Sequence, residues 1–516
     1  MIEILIGKTI RRKRGRILAM ESTSTIQLLS STIGNPFSRK ILSGFGYCNT
    51  CGKNRLEVAL ELFTGARHDA CFRCKLAEKA LSGVLRTGGK AFGVTTETLK
   101  EQFSNAYWRK GLANIVMGVA KFGIRRPFVS GAPLLVVWDI TNACNLRCKH
   151  CYANAGKSFG REMSIVEIKQ GIDKLARSSV PIIAFSGGEP LVRPDIFEIL
   201  HYASDKGIYV AVATNGTLLT SDIARKLKES GIGFVQISLD GASPVTHDLF
   251  RGIPGVFSRT IRGIQNCVNE GLFVNIATTA TKYNYREIPQ IIDLCEELKV
   301  NWFMIYNFIP TGRGKFIVEN DLTPQEREML LQGLWRRLQQ GSSVNVLSTA
   351  PQFARIALQT ETNNSEKIIP THFSNPKLSG SLLNLAEFIG GCGCGRFYCA
   401  IRSNGDIEPC VFFPLKIGNI KEDDFNDLWT QNLTLRELRN KDLLEGQCGS
   451  CQYRYYCGGC RARAYGYTGD YLSPDPGCLN NLEYFKILQS QIMKPRSIVG
   501  KKELVVVNTN KKRNHP

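Results

Sequence analysis

Between Leu134 and Phe308 short apolar runs alternate with longer amphipathic stretches. The runs Leu134–Trp138, Ile182–Phe185, Tyr209–Ala213, Phe234–Leu239, Phe273–Thr278 and Trp302–Phe308 have the length and the branched or aromatic content of buried strands. Apolar positions three and four apart predict helices over Ser164–Ser178, Asp195–Lys206, Ser221–Ser230, Phe257–Glu270 and Tyr285–Leu298. Strands and helices in strict alternation, joined by short loops, predict an α/β domain with a parallel sheet and right-handed crossovers. Six strands are too few for a closed eight-stranded barrel.

Ligands of such sheets lie at the carboxyl ends of the strands. Chemically distinctive residues stand at those ends. Gly187 and Gly188 permit close backbone approach, and Glu189 offers a carboxylate to an ammonium group. Asn215 follows the third strand, Ser238 ends the fourth and Arg313 follows the sixth; each reads equally as a cap or turn residue.

The flanks are less regular. Phe103, Tyr107, Trp108, Leu112, Ile115, Val116, Val119 and Phe122 recur at helical spacing, with Arg109, Lys110 and Lys121 between them and Arg125 and Arg126 after. This stripe reads as a helix packed on the main domain, or as an interfacial helix or the wall of an apolar channel. A helix is expected over Asp321–Gln339, opening with Thr323, Pro324 and Glu326. Gln340–Ser381 is polar and reads as a long loop over the site or a disordered insertion.

The chain has 516 residues, enough for two to four domains, and its hydrophobic content of 43% suits a globular protein. The net charge of +21 favours an anionic partner without choosing among nucleic acid, acidic peptide and membrane surface. Lys8–Arg16 is strongly basic and reads as a solvated tail or a phosphate clamp. Leu504–Val507 reads as a short apolar strand before a basic end. Met1–Ile6 is too short for a signal peptide and no 18-residue apolar run exists, so a cytoplasmic location is expected, with peripheral membrane association as a variant.

Eighteen cysteines against six histidines change the picture most. In a reducing compartment they read as metal ligands rather than disulfides. Cys144, Cys148 and Cys151 sit on the loop leaving the first strand. Three thiolates there can hold three corners of an iron–sulfur cube, or a zinc lacking a fourth ligand. Cys48, Cys51, Cys71 and Cys74 form two knuckles suited to a tetrahedral zinc or a single iron. Cys392, Cys394, Cys399, Cys410, Cys448, Cys451, Cys457, Cys460 and Cys478 crowd into the carboxyl-terminal part beyond any core requirement. Cys267 and Cys295, inside helical patterns, read as core residues.

The Cys144/Cys148/Cys151 run and Ser186-Gly187-Gly188-Glu189-Pro190 resemble the cysteine motif and glycine-rich motif of the radical S-adenosylmethionine superfamily. The run from Cys392 through Gly405 to Cys410, then Cys448-x2-Cys451-x5-Cys457-x2-Cys460 and Cys478, resembles the SPASM extension, which usually has three residues where Gly458 and Gly459 stand here. The resemblance implies a partial (β/α)6 barrel over residues 131–320, a connector over 321–385, a SPASM-like domain over 386–485 and a tail over 486–516. Before them come a basic segment over 1–45 and a four-cysteine region over 46–130.

It further implies a [4Fe-4S] cluster on Cys144, Cys148 and Cys151 that binds S-adenosyl-L-methionine. Gly187, Gly188 and Glu189 would meet the methionyl group, Tyr152 would lie near the adenine, and Asn215, Ser238 and Arg313 would complete the site. Two auxiliary [4Fe-4S] clusters follow: one on Cys448, Cys451, Cys457 and Cys478, the other on Cys392, Cys410 and Cys460 with Cys394 or Cys399. The implied activity is a 5′-deoxyadenosyl radical that removes hydrogen from an unactivated carbon. A low-potential donor such as ferredoxin or flavodoxin is the implied partner.

For substrate, the basic excess and the Phe103–Phe122 stripe put carbon–carbon bridging of archaeal-type isoprenoid lipids first. Maturation of a peptide or protein is the alternative. Nucleic-acid modification has only the charge and the knuckles behind it, and no nucleic-acid partner is expected. A cluster carrier has no use for Glu189 in its glycine loop. A lipid channel requires the stripe to line the open side of the sheet, whereas a peptide enzyme leaves it sealed.

Overall fold

The computed structural model describes residues 34–91, 94–156, 160–360, 366–368, 370, 375, 377–379 and 386–492. The basic segment Lys8–Arg16 and the tail strand Leu504–Val507 lie outside the described residues.

The amino-terminal unit runs α1 (Pro36–Ser43), a two-residue hairpin of β1 (Tyr47–Cys48) and β2 (Lys53–Asn54), α2 (Arg55–Thr64), α3 (Phe72–Ala91), α4 (Thr96–Ser104) and α5 (Ala106–Phe122). The Asn54 side chain caps α2 by accepting from Leu56 N–H (2.8 Å). The stripe read as one helix is two, broken at Asn105.

Of its expected places the structure takes the first, a helix packed on the main domain, and not the wall of a channel. Trp108, Phe103 and Ala113 pack with Leu56 and Leu60 of α2. Asn114 donates to the carbonyls of Pro133 (3.3 Å) and Ser179 (3.2 Å), which lie just before the first two strands of the main sheet. Tyr107 meets Tyr209, the first residue of a later strand. The helix therefore closes the amino ends of the strands and lines no channel at their carboxyl ends. Its basic residues are consumed internally. Lys110 forms a buried pair with Glu57 (3.1 Å), and Arg109 donates to the carbonyls of Phe103 and Ser104 (both 2.6 Å). Periodicity showed the apolar face but not which partner covers it; the partner is α2, some fifty residues earlier in the chain.

The main sheet follows: β3 (Leu135–Thr141), α6 (Ile165–Arg177), β4 (Ile182–Gly187), α7 (Ile196–Asp205), β5 (Tyr209–Thr214), α8 (Ser221–Glu229) and β6 (Phe234–Ser238). After β6 come α9 (Pro244–Arg251), α10 (Val256–Asn269), β7 (Val274–Ala280), α11 (Ile288–Glu297) and β8 (Trp302–Asn307). Ser164 and Glu167 form a capping box that starts α6, and Thr323 with Glu326 starts α12 (Pro324–Gln340) the same way. Val136, Trp138, Ile183, Phe185, Val235, Ile237, Phe303 and Ile305 face the helices in one core, which also takes Cys267 and Cys295. The alternate residues, among them Asp139, Ser186, Gln236 and Tyr306, face the other way.

The sheet is wider than six strands. Its order is β14-β13-β12-β3-β4-β5-β6-β7-β8-β9, with β9 (Asn345–Ser348) parallel to β8 inside the stretch expected to be a loop. α13 (Gln352–Gln359) and a small hairpin of β10 (Glu366–Ile368) with β11 (Lys377–Ser379) come next. On the other edge β12 (Tyr398–Ile401), from the cysteine-rich unit, runs parallel to β3, and β13 (Asp406–Glu408) and β14 (Gly418–Asn419) extend it antiparallel. Among the described residues no pairing of β9 with β14 closes the sheet. The third cysteine set is thus built onto the strand that carries the first.

Candidate active site and metal centres

Cys144, Cys148 and Cys151 occupy the loop after β3, at the end of the sheet opposite α5. Seven residues of β3 separate the two ends, or about 20 Å of extended chain. The three sulfurs are already in donor-rich surroundings: Cys144 accepts from Leu146 N–H (3.4 Å), Cys151 from Ala155 N–H (3.4 Å) and Cys148 from the Arg251 guanidinium (3.7 Å). Burial pushes the Cys144 thiol up to about 11 and raises Cys148 as well, although Arg251 opposes the latter. Metal binding here therefore displaces protons from thiols that hold them firmly. No fourth cysteine joins the group among the described residues, so the donor set fits a cube with one iron left for another ligand.

The glycine motif shapes this loop. A Cβ on Gly187 would lie 2.4 Å from Thr141 O, and one on Gly188 would lie 2.1 Å from Ala143 O. The two glycines let β4 press its end against the cysteine loop, an approach no side chain permits. Glu189 is fully buried and accepts from Thr214 Oγ1 (2.7 Å), Asn215 N–H (2.8 Å) and Leu191 N–H (3.1 Å). Burial raises its pKa, and these donors oppose the rise.

Asn215 reaches the cysteine loop by donating to Asn145 Oδ1 (2.8 Å). Arg313 braces the same loop from the opposite side, donating to the carbonyls of Cys148 (2.9 Å) and Ala155 (2.6 Å). Ser238 is half-buried at the end of β6. The Tyr152 hydroxyl donates to Asp139 Oδ1 (3.1 Å) and lies 3.1 Å from Ser186 Oγ.

Several groups here had no local signal in the sequence. Arg251 pairs with the buried Asp240 (2.5 Å) while touching Cys148, and His150 stacks on Phe250 (4.1 Å) beside the same Asp240. Burial keeps that imidazole neutral. Arg402, at the end of β12, joins Asp139 (2.6 Å) to Glu408 (2.5 Å). The contacts Arg251–Cys148, His150–Phe250 and Arg402–Asp139 each join residues a hundred or more apart in the chain, and the fold brings them together.

The carboxyl-terminal cysteines fall into two sets. Cys394 lies within hydrogen-bonding reach of both Cys392 and Cys410, and Cys460 packs into the same cluster. Cys448, Cys457 and Cys478 influence one another electrostatically. Cys448 accepts from Asp475 N–H (3.3 Å), Cys451 from Tyr453 N–H (3.4 Å) and Cys457 from Gly459 N–H (3.4 Å). Cys399 is placed differently from Cys392, Cys394, Cys410 and Cys460. It pairs with Val136 across the β12–β3 ladder and turns into the main core with Ile401 and Trp429. Gly458 and Gly459 both have φ near +65° (65° and 64°), a conformation that makes the shortened link between Cys457 and Cys460 feasible.

In the amino-terminal unit the sulfurs of Cys48, Cys51, Cys71 and Cys74 all lie within 4.8 Å of one another, and Cys48 Sγ is 3.6 Å from Cys71 Sγ. A tetrahedral zinc with bonds of about 2.3 Å puts its sulfurs roughly 3.8 Å apart. This site fits a single metal ion, not a cube.

The pattern of the radical SAM superfamily matches residues 138–295, and that of SPASM, an iron-sulfur cluster-binding domain, matches residues 392–452. An AdoMet-dependent heme synthase of Methanosarcina barkeri is 38% identical over 354 residues, covering 68% of this chain and 97% of that protein. The chain belongs to the radical SAM superfamily. This radical SAM enzyme carries a carboxyl-terminal SPASM iron–sulfur unit. A mycofactocin maturase of Mycobacterium tuberculosis is 32% identical over 355 residues, 67% of this chain and 83% of that protein. The crystal structure of Streptococcus suis SuiB bound to S-adenosylmethionine shares the fold, with a TM-score of 0.59 at 20% identity over 82% of this chain and 92% of that one.

With its cluster and S-adenosylmethionine bound, such a centre supplies a 5′-deoxyadenosyl radical. The chain's own part is to hold three thiolates on a loop braced by Asn215, Arg313 and the Gly187–Glu189 turn. Among the described residues no helix is long and apolar enough to cross a membrane.

Proposed function

We propose that this radical SAM enzyme is a maturase acting on a tetrapyrrole, removing hydrogen from an unactivated carbon at the edge of the macrocycle. The carrying observation is the likeness to AdoMet-dependent heme synthase, which runs through almost the whole of that protein. The non-helical face of the sheet supports it. Tyr152 meets Phe412 edge-on at 5.0 Å, and Tyr306 lies 6.1 Å from the same ring. These aromatic walls suit a flat ring system.

In this reading Cys144, Cys148 and Cys151 hold the radical cluster. Gly187, Gly188, Glu189, Asn215, Ser238, Tyr152 and Arg313 shape the S-adenosylmethionine site. Cys392, Cys394, Cys410 and Cys460, and separately Cys448, Cys451, Cys457 and Cys478, hold auxiliary clusters whose chemistry is one-electron exchange. The electron donor is a low-potential ferredoxin or flavodoxin. The lipid-bridging reading loses its structural support, because the stripe that was to line its channel is sealed under the opposite end of the sheet. Peptide maturation stays as the second reading, on the strength of the mycofactocin maturase.

The test is anaerobic turnover with S-adenosylmethionine and a low-potential reductant, supplying an iron tetrapyrrole with carboxylate side chains, a host peptide fraction and a lipid extract separately. The tetrapyrrole should stimulate 5′-deoxyadenosine formation by at least tenfold and lose hydrogen itself. Stimulation confined to the peptides would move the assignment to the second reading, and stimulation by lipid alone would defeat both.

A further inference from the structure

Helix Arg461–Thr468 starts directly after Cys460 and runs between the two carboxyl-terminal cysteine sets. Its first turn is aimed at sulfur: Arg461 N–H donates to Cys392 and Arg463 N–H to Cys460. The side chains differ in a telling way. The Arg461 guanidinium is partnered, donating to the carbonyls of Tyr471 and Ser473 (both 2.8 Å) with Nη2 3.8 Å from Cys448 Sγ. The Arg463 guanidinium is 0% exposed, and among the described residues none of its three nitrogens has a hydrogen-bond partner.

Its nearest carboxylate, Asp475, stands 3.9 Å away and is already engaged. Asp475 accepts from Gln352 Nε2 (2.6 Å), Cys460 N–H (2.7 Å) and Gly477 N–H (2.9 Å). Asp321, the other acid that feels Arg463, is held by Arg327 (2.6 Å) and Tyr467 (2.9 Å). Arg463 therefore ties to Cys460 of one set through its backbone. Its guanidinium lies against Gly477, next to Cys478 of the other set; a Cβ on Gly477 would fall 1.6 Å from Arg463 Nη1.

A buried guanidinium whose nitrogens have no hydrogen-bond acceptor is costly, and each such group calls for one. A cube held by four thiolates is anionic and gains a further negative charge on reduction. We infer that Arg463 is a positioning residue that sets the reduction potential of the auxiliary clusters, its guanidinium being the counter-ion shared between the two cysteine sets. This inference rests on the two-cluster reading of the SPASM unit.

The test uses full-length anaerobic protein and the variants Arg463→Met, Arg463→Lys and Gly477→Ala, with iron counted in each before a redox titration followed by electron paramagnetic resonance. In Arg463→Met the reduction equilibrium of at least one auxiliary cluster should fall tenfold or more, which is 59 mV for a one-electron couple. Arg463→Lys should recover more than half of that shift, and Gly477→Ala, which displaces the guanidinium and keeps its charge, should move the potential less than Arg463→Met. Unchanged potentials in an iron-replete Arg463→Met protein would overturn the inference, and so would an Arg463→Lys protein that shifts as far as Arg463→Met. About four irons in the parent protein would instead overturn the two-cluster reading.

Discussion

Replacing any one of Cys144, Cys148 and Cys151 by alanine is expected to abolish reductive cleavage of S-adenosylmethionine. The three cysteines lie on one loop of fourteen residues, 142–155, which Arg313 braces at Ala155, and no further cysteine joins them among the described residues. Two thiolates hold a cube poorly, so 5′-deoxyadenosine should fall to background rather than decline in proportion. The carboxyl-terminal sets are built from other loops and should keep their iron. The measurement is 5′-deoxyadenosine by chromatography together with iron content. Retained cleavage in all three variants would remove the loop from the chemistry.

The second large effect is expected at Glu189. Alanine there leaves two buried donors, Thr214 Oγ1 and Asn215 N–H, and the half-buried Leu191 N–H without an acceptor. Each orphaned group costs about 1–3 kcal/mol, and the losses are not additive because all three share one carboxylate. Glu189→Ala should therefore lower stability by roughly 3 kcal/mol or more. It should also loosen the cysteine loop through the Asn215–Asn145 hydrogen bond, weakening S-adenosylmethionine binding by about tenfold or more, as loss of a charge-assisted contact of roughly 1.5–3 kcal/mol implies. Glu189→Gln is not a conservative rescue, since its amide nitrogen would face a donor. Thermal unfolding and cofactor affinity of the iron-loaded protein check both parts. An unchanged melting temperature would contradict the hydrogen-bond account, and an unchanged affinity would take Glu189 out of the cofactor site.

The central sheet was legible in the sequence because β3 to β8 are runs of branched and aromatic residues bounded by capped helices, and nothing tertiary overrides that pattern. The strand β9 was not: four residues in a polar stretch carry no periodicity, and Val346 is recognisable as core only once β8 lies beside it. The stripe Phe103–Phe122 shows why amphipathicity alone misleads. An apolar face with lysine and arginine beside it looks the same whether it meets lipid or, as here, α2 with Glu57 waiting for Lys110. Cys394 and Cys399 could not be separated by spacing. Alternation along β12 separates them, because Cys399 stands on the strand and faces the helices while Cys394 precedes it in the loop. Glu189 was legible as important through its glycine motif. Its partners were not, since Thr214 and Asn215 come from the next strand.

The number of metal centres that the eighteen cysteines build is read directly by one measurement. Full-length protein purified without oxygen and reconstituted with iron and sulfide should hold about twelve irons, four for each of three cubes. It should also hold about one further zinc or iron that a Cys48→Ser/Cys71→Ser double variant alone loses. Metal analysis returning about four irons and no additional ion would contradict the auxiliary centres and the amino-terminal site together.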